Sequence, residues 1–168
     1  MSAPRSAWLA LGAALLLGCP ARDGAAPAQQ RVASSRERLV AWLECEECGD
    51  GELVNVVALG PAVVPTLAAV LRSGMSPAQR AKLTLQLEQR WEERRAYESE
   101  HASESRLASR EQYVAGHLES RDALYRVRAA TALGRIGSDE AIEALRAALS
   151  VPQRPSVERA ISQALAKP

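Results

Sequence analysis

Between Tyr125 and Leu149 the chain reads YRVRAATALGRIGSDEAIEALRAAL, and this pattern leaves little choice but a pair of antiparallel helices. Tyr125, Ala129, Ala132, Leu133 and Ile136 follow the i, i+4, i+7, i+8, i+11 spacing that gathers apolar groups on one helical face. Gly137 comes just past the last of them, where a glycine can take the left-handed conformation that closes a helix. Ser138 can then cap the free amides of the next helix. That second helix repeats the apolar face at Ala141, Ile142, Leu145, Ala148 and Leu149, and its alanines allow close backbone approach. A lone hairpin of this kind cannot cover both of its apolar faces. It has to stack.

The wording from Ala132 to Leu149 resembles the HEAT-like repeat, in the short variant first described in phycobilisome lyases, and the resemblance implies helical hairpins stacked into a solenoid. Two other stretches resemble it more weakly. Leu53 to Leu71 reads as a second hairpin turning at Gly60-Pro61, with Ala58-Leu59-Gly60 answering Ala132-Leu133-Gly134. Val157, Ala160, Ile161, Ala164 and Leu165 form one face of what reads as the first helix of a third. The expected fold is therefore all-α: a short, irregularly spaced α-solenoid over residues 34–168. The resemblance names no substrate; such proteins include partners of lyases and assembly factors.

The start of the chain has a different character. Arg5 supplies a positive charge, and Ala7 to Leu17 is an apolar run of about eleven residues, which suits a signal h-region and is too short to span a bilayer. Leu16-Leu17-Gly18-Cys19 then resembles a bacterial lipobox, in which a small residue precedes the cut and the cysteine thiol accepts a diacylglyceryl group. Residues 1–18 are expected to be a lipoprotein signal peptide and Cys19 the lipidated first residue of the mature chain. Pro20 stands where an aspartate would resemble an inner-membrane retention signal, so the expected location is the outer membrane, facing the periplasm. Residues 19–33, rich in alanine, proline and glutamine, read as a flexible tether.

The folded part is expected to open at Ser34, which with Glu37 matches a capping box, and Leu39, Trp42 and Leu43 give its first helix a buried face. Two further starts are marked by Ser76 with Gln79 and by Ser109 with Gln112. Leu83, Leu87 and Trp91 share a stripe, whereas residues 88–111 are so charged that they read as a solvated helix or an excursion. His117 shares a stripe with Tyr113 and Val114, which predicts a partly buried ring; His101, in the charged segment, is expected to be exposed.

Cys45 and Cys48 carry the most distinctive chemistry. In an oxidising compartment an isolated pair at this spacing is expected to join, and three readings compete. One is a structural disulfide pinning the end of the first helix, worth about 2 kcal/mol for so short a loop. A second is a redox-active pair; the neighbouring Glu44, Glu46 and Glu47, and the C-terminal side of a helix, both disfavour a thiolate there. The third is a metal site completed by His101 or His117, although no second Cys/His pair is present. Gly49 rather than histidine follows Cys48, which excludes c-type haem attachment.

No strand-period segment, glycine-rich phosphate loop or Ser/His/Asp pattern stands out, so neither catalytic residues nor a cofactor are expected. The chain has 21 basic and 20 acidic residues, and loss of Arg5 with the leader makes them equal. That balance argues against nucleic acid as a partner, because phosphate binding needs clustered positive charge. The leading expectation is an envelope lipoprotein acting as a protein-binding or scaffolding module. The alternatives are a thiol-disulfide or metal-dependent activity at Cys45 and Cys48, and a purely structural envelope lipoprotein. Metabolic palmitate labelling should be abolished by Cys19→Ser; labelling that persists unchanged would refute the anchor.

Overall fold

The structure is a computed structural model and describes residues 28–45, 47–101 and 108–166. Within them the chain forms α1 (Ala28–Glu44), α2 (Asp50–Val57), a 3-10 segment (Gly60–Val63), α3 (Val64–Ser73), α4 (Pro77–His101), α5 (Arg110–Ile136), α6 (Asp139–Leu149) and α7 (Pro155–Leu165). No strand occurs among the described residues. The expected leader, Cys19 and most of the expected tether lie outside them.

α5 is the centre of the stack. At 27 residues it is about 40 Å long. It packs against α2, α3, α4, α6 and α7. Its end is built as the sequence predicts: Gly137 is left-handed (φ 64°, ψ 13°) and its amide donates to the carbonyl of Leu133. The Ser138 hydroxyl then accepts from the Ala141 amide at 3.3 Å, turning the chain into α6. Hydrogen bonds from its own backbone amide and then from the Ser138 hydroxyl hold the Glu140 carboxyl below the usual carboxylate range. α3 and α7 each pack on both helices of this hairpin, which makes the fold a short all-α solenoid of antiparallel hairpins.

The core is aliphatic and small. Leu39, Leu43, Leu67, Leu71, Ala129, Ala132, Leu133, Ala141, Leu145, Val157 and Ile161 are almost wholly buried, and no polar side chain among the described residues is buried without a partner. Alanine allows α5 and α7 to approach until a β-carbon no longer fits: one placed on Gly134 would lie 2.5 Å from the β-carbon of Ala164 and 2.9 Å from its α-carbon. Leu149, expected inside, is 40% exposed.

The structure moves several sequence-based boundaries. α1 starts at Ala28, so Ser34 lies inside the helix and not at its cap; Ala28-Gln29-Gln30-Arg31 are good helix formers that extend it backward. Asp50 is the first residue of α2, and Gly49 occupies the capping position without a side-chain bond. The repeat register also shifts. Gly60, two residues beyond the Ala58 cap of α2, has φ 64° like Gly137, whereas Gly134 lies within α5. Pro61 is the second residue of a 3-10 segment, and Pro65 serves the start of α3.

α4 interrupts the hairpin series. Both halves of its capping box form, with the Ser76 amide 3.0 Å from Gln79 Oε1 and the Gln79 amide 3.3 Å from the Ser76 hydroxyl. It runs antiparallel to the first half of α5, burying Leu87 and Trp91. The Trp91 indole donates to the Ala108 carbonyl at 3.1 Å, and beyond Trp91 the helix is exposed as far as His101 except at Glu98. The solvated-helix reading therefore holds up to His101. The α3–α4 loop is tied down by Asp122 of α5, whose Oδ1 accepts from the Met75 amide (3.0 Å) and from Arg80 (2.9 Å) while Oδ2 accepts from Arg126 (3.0 Å). Gly74 in that loop has φ 68° and leaves no room for a β-carbon beside the Asp122 carboxylate.

Two glycines of the same helix should respond in opposite directions. Gly134→Val should destabilise the fold by about 2 kcal/mol or more through overpacking against Ala164. Gly116→Ala, where nothing lies within 4 Å, should stabilise it by up to about 1 kcal/mol. Urea denaturation of the two variants beside the parent protein measures both.

Candidate functional site

An α-helix leaves its last four carbonyls without intrahelical donors, and at the end of α1 these belong to Trp42, Leu43, Glu44 and Cys45, since the Cys45 amide already bonds the Ala41 carbonyl at 3.0 Å. Two arginines of α5, seven residues apart on one face, meet all four. Arg128 Nη1 donates to the carbonyls of Trp42 (2.9 Å), Leu43 (3.0 Å) and Cys45 (2.6 Å). Arg121 Nη2 donates to that of Glu44 (3.2 Å). A cation at a helix C-terminus also meets the negative end of the helix dipole. The Arg128 guanidinium lies 5.7 Å from the Trp42 ring centroid, a cation–π contact. Burial, then the like charge of Arg121, lowers the Arg128 pKa; an arginine nevertheless stays charged. Tyr125, between the two on the same face and 2% exposed, has its phenol pushed up by burial and next by Glu44.

Cys45 and Cys48 sit on this clamped turn with their sulfurs at disulfide distance and their α-carbons 5.6 Å apart. The spacing argument foresaw this juxtaposition but not its setting. The pair lies between two helices: Cys45 directly follows α1, and Cys48 directly precedes Gly49, the cap of α2. The Glu44 carboxylate points to α4, accepting from Gln79 Nε2 at 3.0 Å with Lys82 Nζ at 3.9 Å. Glu47 is exposed, and Glu46 lies outside the described residues.

Both cysteines line a cleft of about 330 Å³ between α1 and α2, together with Arg38, Ala41, Trp42, Glu52, Asn55, Val56 and Leu59. Its wall is mainly apolar, with one charge of each sign in Arg38 and Glu52. A second, more polar hollow lies between α4 and α5, lined by Glu44, Lys82, Arg90, Arg121 and Tyr125 among others.

The metal reading finds no support in the geometry, because no group of three or more His, Cys, Asp or Glu is gathered among the described residues. Each candidate histidine is engaged within its own helix. His101 Nδ1 lies 2.8 Å from the Tyr97 carbonyl with the two rings stacked, and it is exposed as expected. His117 Nδ1 lies 2.8 Å from the Tyr113 carbonyl with the rings tilted, and the residue is exposed, not half-buried, at the edge of a hollow between α4 and α5 that it lines with Ser120, Arg121 and Leu124. No single helix among the described residues is long and apolar enough to cross a membrane.

Residues 125–150 match the PBS lyase HEAT-like repeat. The match spans the α5–α6 hairpin from Tyr125 and does not extend to α4 or to α1–α3. No curated protein and no solved structure matches the chain.

Removing the clamp should be costly. Arg128→Met strips three carbonyls of a charged donor and should cost about 2 kcal/mol in chemical denaturation, with hydrogen exchange rising first at the end of α1. Arg135→Met, at an exposed position of the same helix, should change stability by less than about 0.5 kcal/mol.

Proposed function

We propose that this chain is a lipid-anchored envelope protein whose helical stack binds another protein. The observation that carries the reading is the HEAT-like hairpin over residues 125–150, flanked by α3 and α7 in a solenoid. Stacked repeats of this kind present long continuous surfaces suited to engaging a protein. Exposed apolar side chains outside the core are consistent with such use: Val54 on α2, and Leu85 and Tyr97 on α4.

The anchor is Cys19. Its support is the sequence alone, in Arg5, the apolar run from Ala7 to Leu17 and the order Leu16-Leu17-Gly18-Cys19. Acyl chains contribute about 0.8 kcal/mol per buried methylene, so a multiply acylated cysteine would hold the protein on a membrane durably. The placement proposed is the outer membrane, facing the periplasm, with Pro20 after the lipidated cysteine. The reading is of a binding protein, not an enzyme acting on a small molecule, and not a nucleic-acid binder, given the even charge balance.

Affinity purification of the tagged full-length protein from detergent-solubilised envelopes tests it. The expected result is one envelope protein retained in stoichiometric amount and lost from a variant with Val54→Glu, Leu85→Glu and Tyr97→Glu. Retention of none across several mild detergents would overturn the binding role in favour of a purely structural lipoprotein.

A further inference from the structure

We propose that Cys45 and Cys48 form an exchangeable disulfide that oxidises a dithiol peptide lodged in the cleft between α1 and α2. The proposal goes beyond protein binding by the stack and does not depend on it. Three observations lead there.

The first is that the end of α1 is held by bonds other than the disulfide. Arg128 and Arg121 already engage every orphan carbonyl from Trp42 to Cys45, and the Arg128 contacts cross 83 to 86 positions of sequence. A disulfide closing a loop of sequence separation 3 adds little chain-entropy stabilisation to such a turn. A pair kept only to pin the end of α1 would duplicate the arginines.

The second is access. Both cysteines are half-buried and form part of the cleft wall, beside Ala41, Trp42 and Leu59, so an incoming sulfur can reach them along an apolar surface. An apolar wall favours a peptide carrying aliphatic side chains beside its thiols over a small hydrophilic thiol such as glutathione.

The third is polarity across the bond. Cys45 stands at the C-terminus of α1, whose carbonyls Arg128 and Arg121 already cover, whereas Cys48 stands just before α2, whose capping residue Gly49 offers no side chain to the first-turn amides. The positive end of that helix makes Cys48 the leaving sulfur in this proposal. Glu44, which sequence placed against the thiols, is turned to Gln79 and Lys82. Among the described side chains, the charged groups lining the cleft are Arg38 and Glu52, one of each sign, and Arg128 reaches the Cys45 carbonyl from α5 at 2.6 Å.

The step follows. A peptide thiolate attacks Cys45 Sγ, forming the mixed disulfide; the Cys45–Cys48 bond breaks, and its electron pair leaves with Cys48, which takes up a proton. The peptide's second thiolate attacks its own sulfur in the mixed disulfide, releasing Cys45. Two electrons pass from the peptide dithiol to the pair, the peptide leaves as a disulfide, and the pair ends as two thiols.

The full-length protein, purified oxidised from envelopes, is mixed with synthetic peptides carrying two cysteines flanked by leucines or by aspartates, and peptide disulfide is followed by mass spectrometry. The leucine-flanked peptide should be oxidised about tenfold faster than the aspartate-flanked one, and also about tenfold faster than by glutathione disulfide at equal concentration. Asn55→Glu, at an exposed position of the cleft wall, should slow the leucine-flanked peptide several-fold. Cys45→Ser with Cys48→Ser should abolish oxidation while leaving helical circular dichroism unchanged. A one-cysteine peptide quenched with N-ethylmaleimide should be found linked to Cys45. Rates no better than glutathione disulfide, or equal rates for the two peptides or for Asn55→Glu, would overturn the proposal; linkage to Cys48 would overturn the order of attack. Each readout is independent of whether an envelope partner is retained by the stack.

Discussion

The clamp between α5 and the end of α1 is what the rest of the structure depends on. A helix that stops inside a packed domain must dispose of four carbonyls, and water reaches a partly covered turn poorly. Arg128 satisfies three of them with one nitrogen and lies over Trp42, while Arg121 takes the fourth. The same face of α5 carries Tyr125, and one position on from Arg121 is Asp122, which holds the α3–α4 loop. Within two turns, α5 thus fixes both the first helix of the fold and the loop that introduces α4. α1 belongs to the domain through these bonds and through Leu39, Trp42 and Leu43.

Much of the central hairpin could be read directly from sequence, for a physical reason. Tyr125, Ala129, Ala132 and Leu133 bury one stripe, Gly137 needs a positive φ, and Ser138 needs to cap; all three are local demands, met within a few residues. The capping boxes at Ser76 and Ser109 were legible for the same reason. Ser34 matched a capping pattern yet lies mid-helix, because such a motif is also compatible with a helix that simply begins earlier.

The clamp was not legible. Arg121 and Arg128 stand among mixed charges, and their partners are backbone carbonyls, which look the same at every position of a sequence. Only the placement of α1 reveals which carbonyls are orphaned. The surroundings of Cys45 and Cys48 were misjudged for a related reason: adjacency along the chain put Glu44 beside the thiols, while in space it belongs to α4. His117 was assigned to a buried stripe by spacing, but it lies exposed at the rim of the hollow between α4 and α5. Gly60 was matched to Gly134 by wording, yet Gly60 has a positive φ and Gly134 lies within α5.

α5 is unbroken from Arg110 to Ile136, although its first half pairs with α4 and its second half is the repeat. Inserting one residue between Leu118 and Ala129 would rotate the two halves by about 100° and carry Arg121 and Asp122 away from their carbonyls and loop. The protruding pair of helices and the stack are thus locked in phase like two gears on one shaft. Along the shaft, length can change only in steps near whole numbers of helical turns.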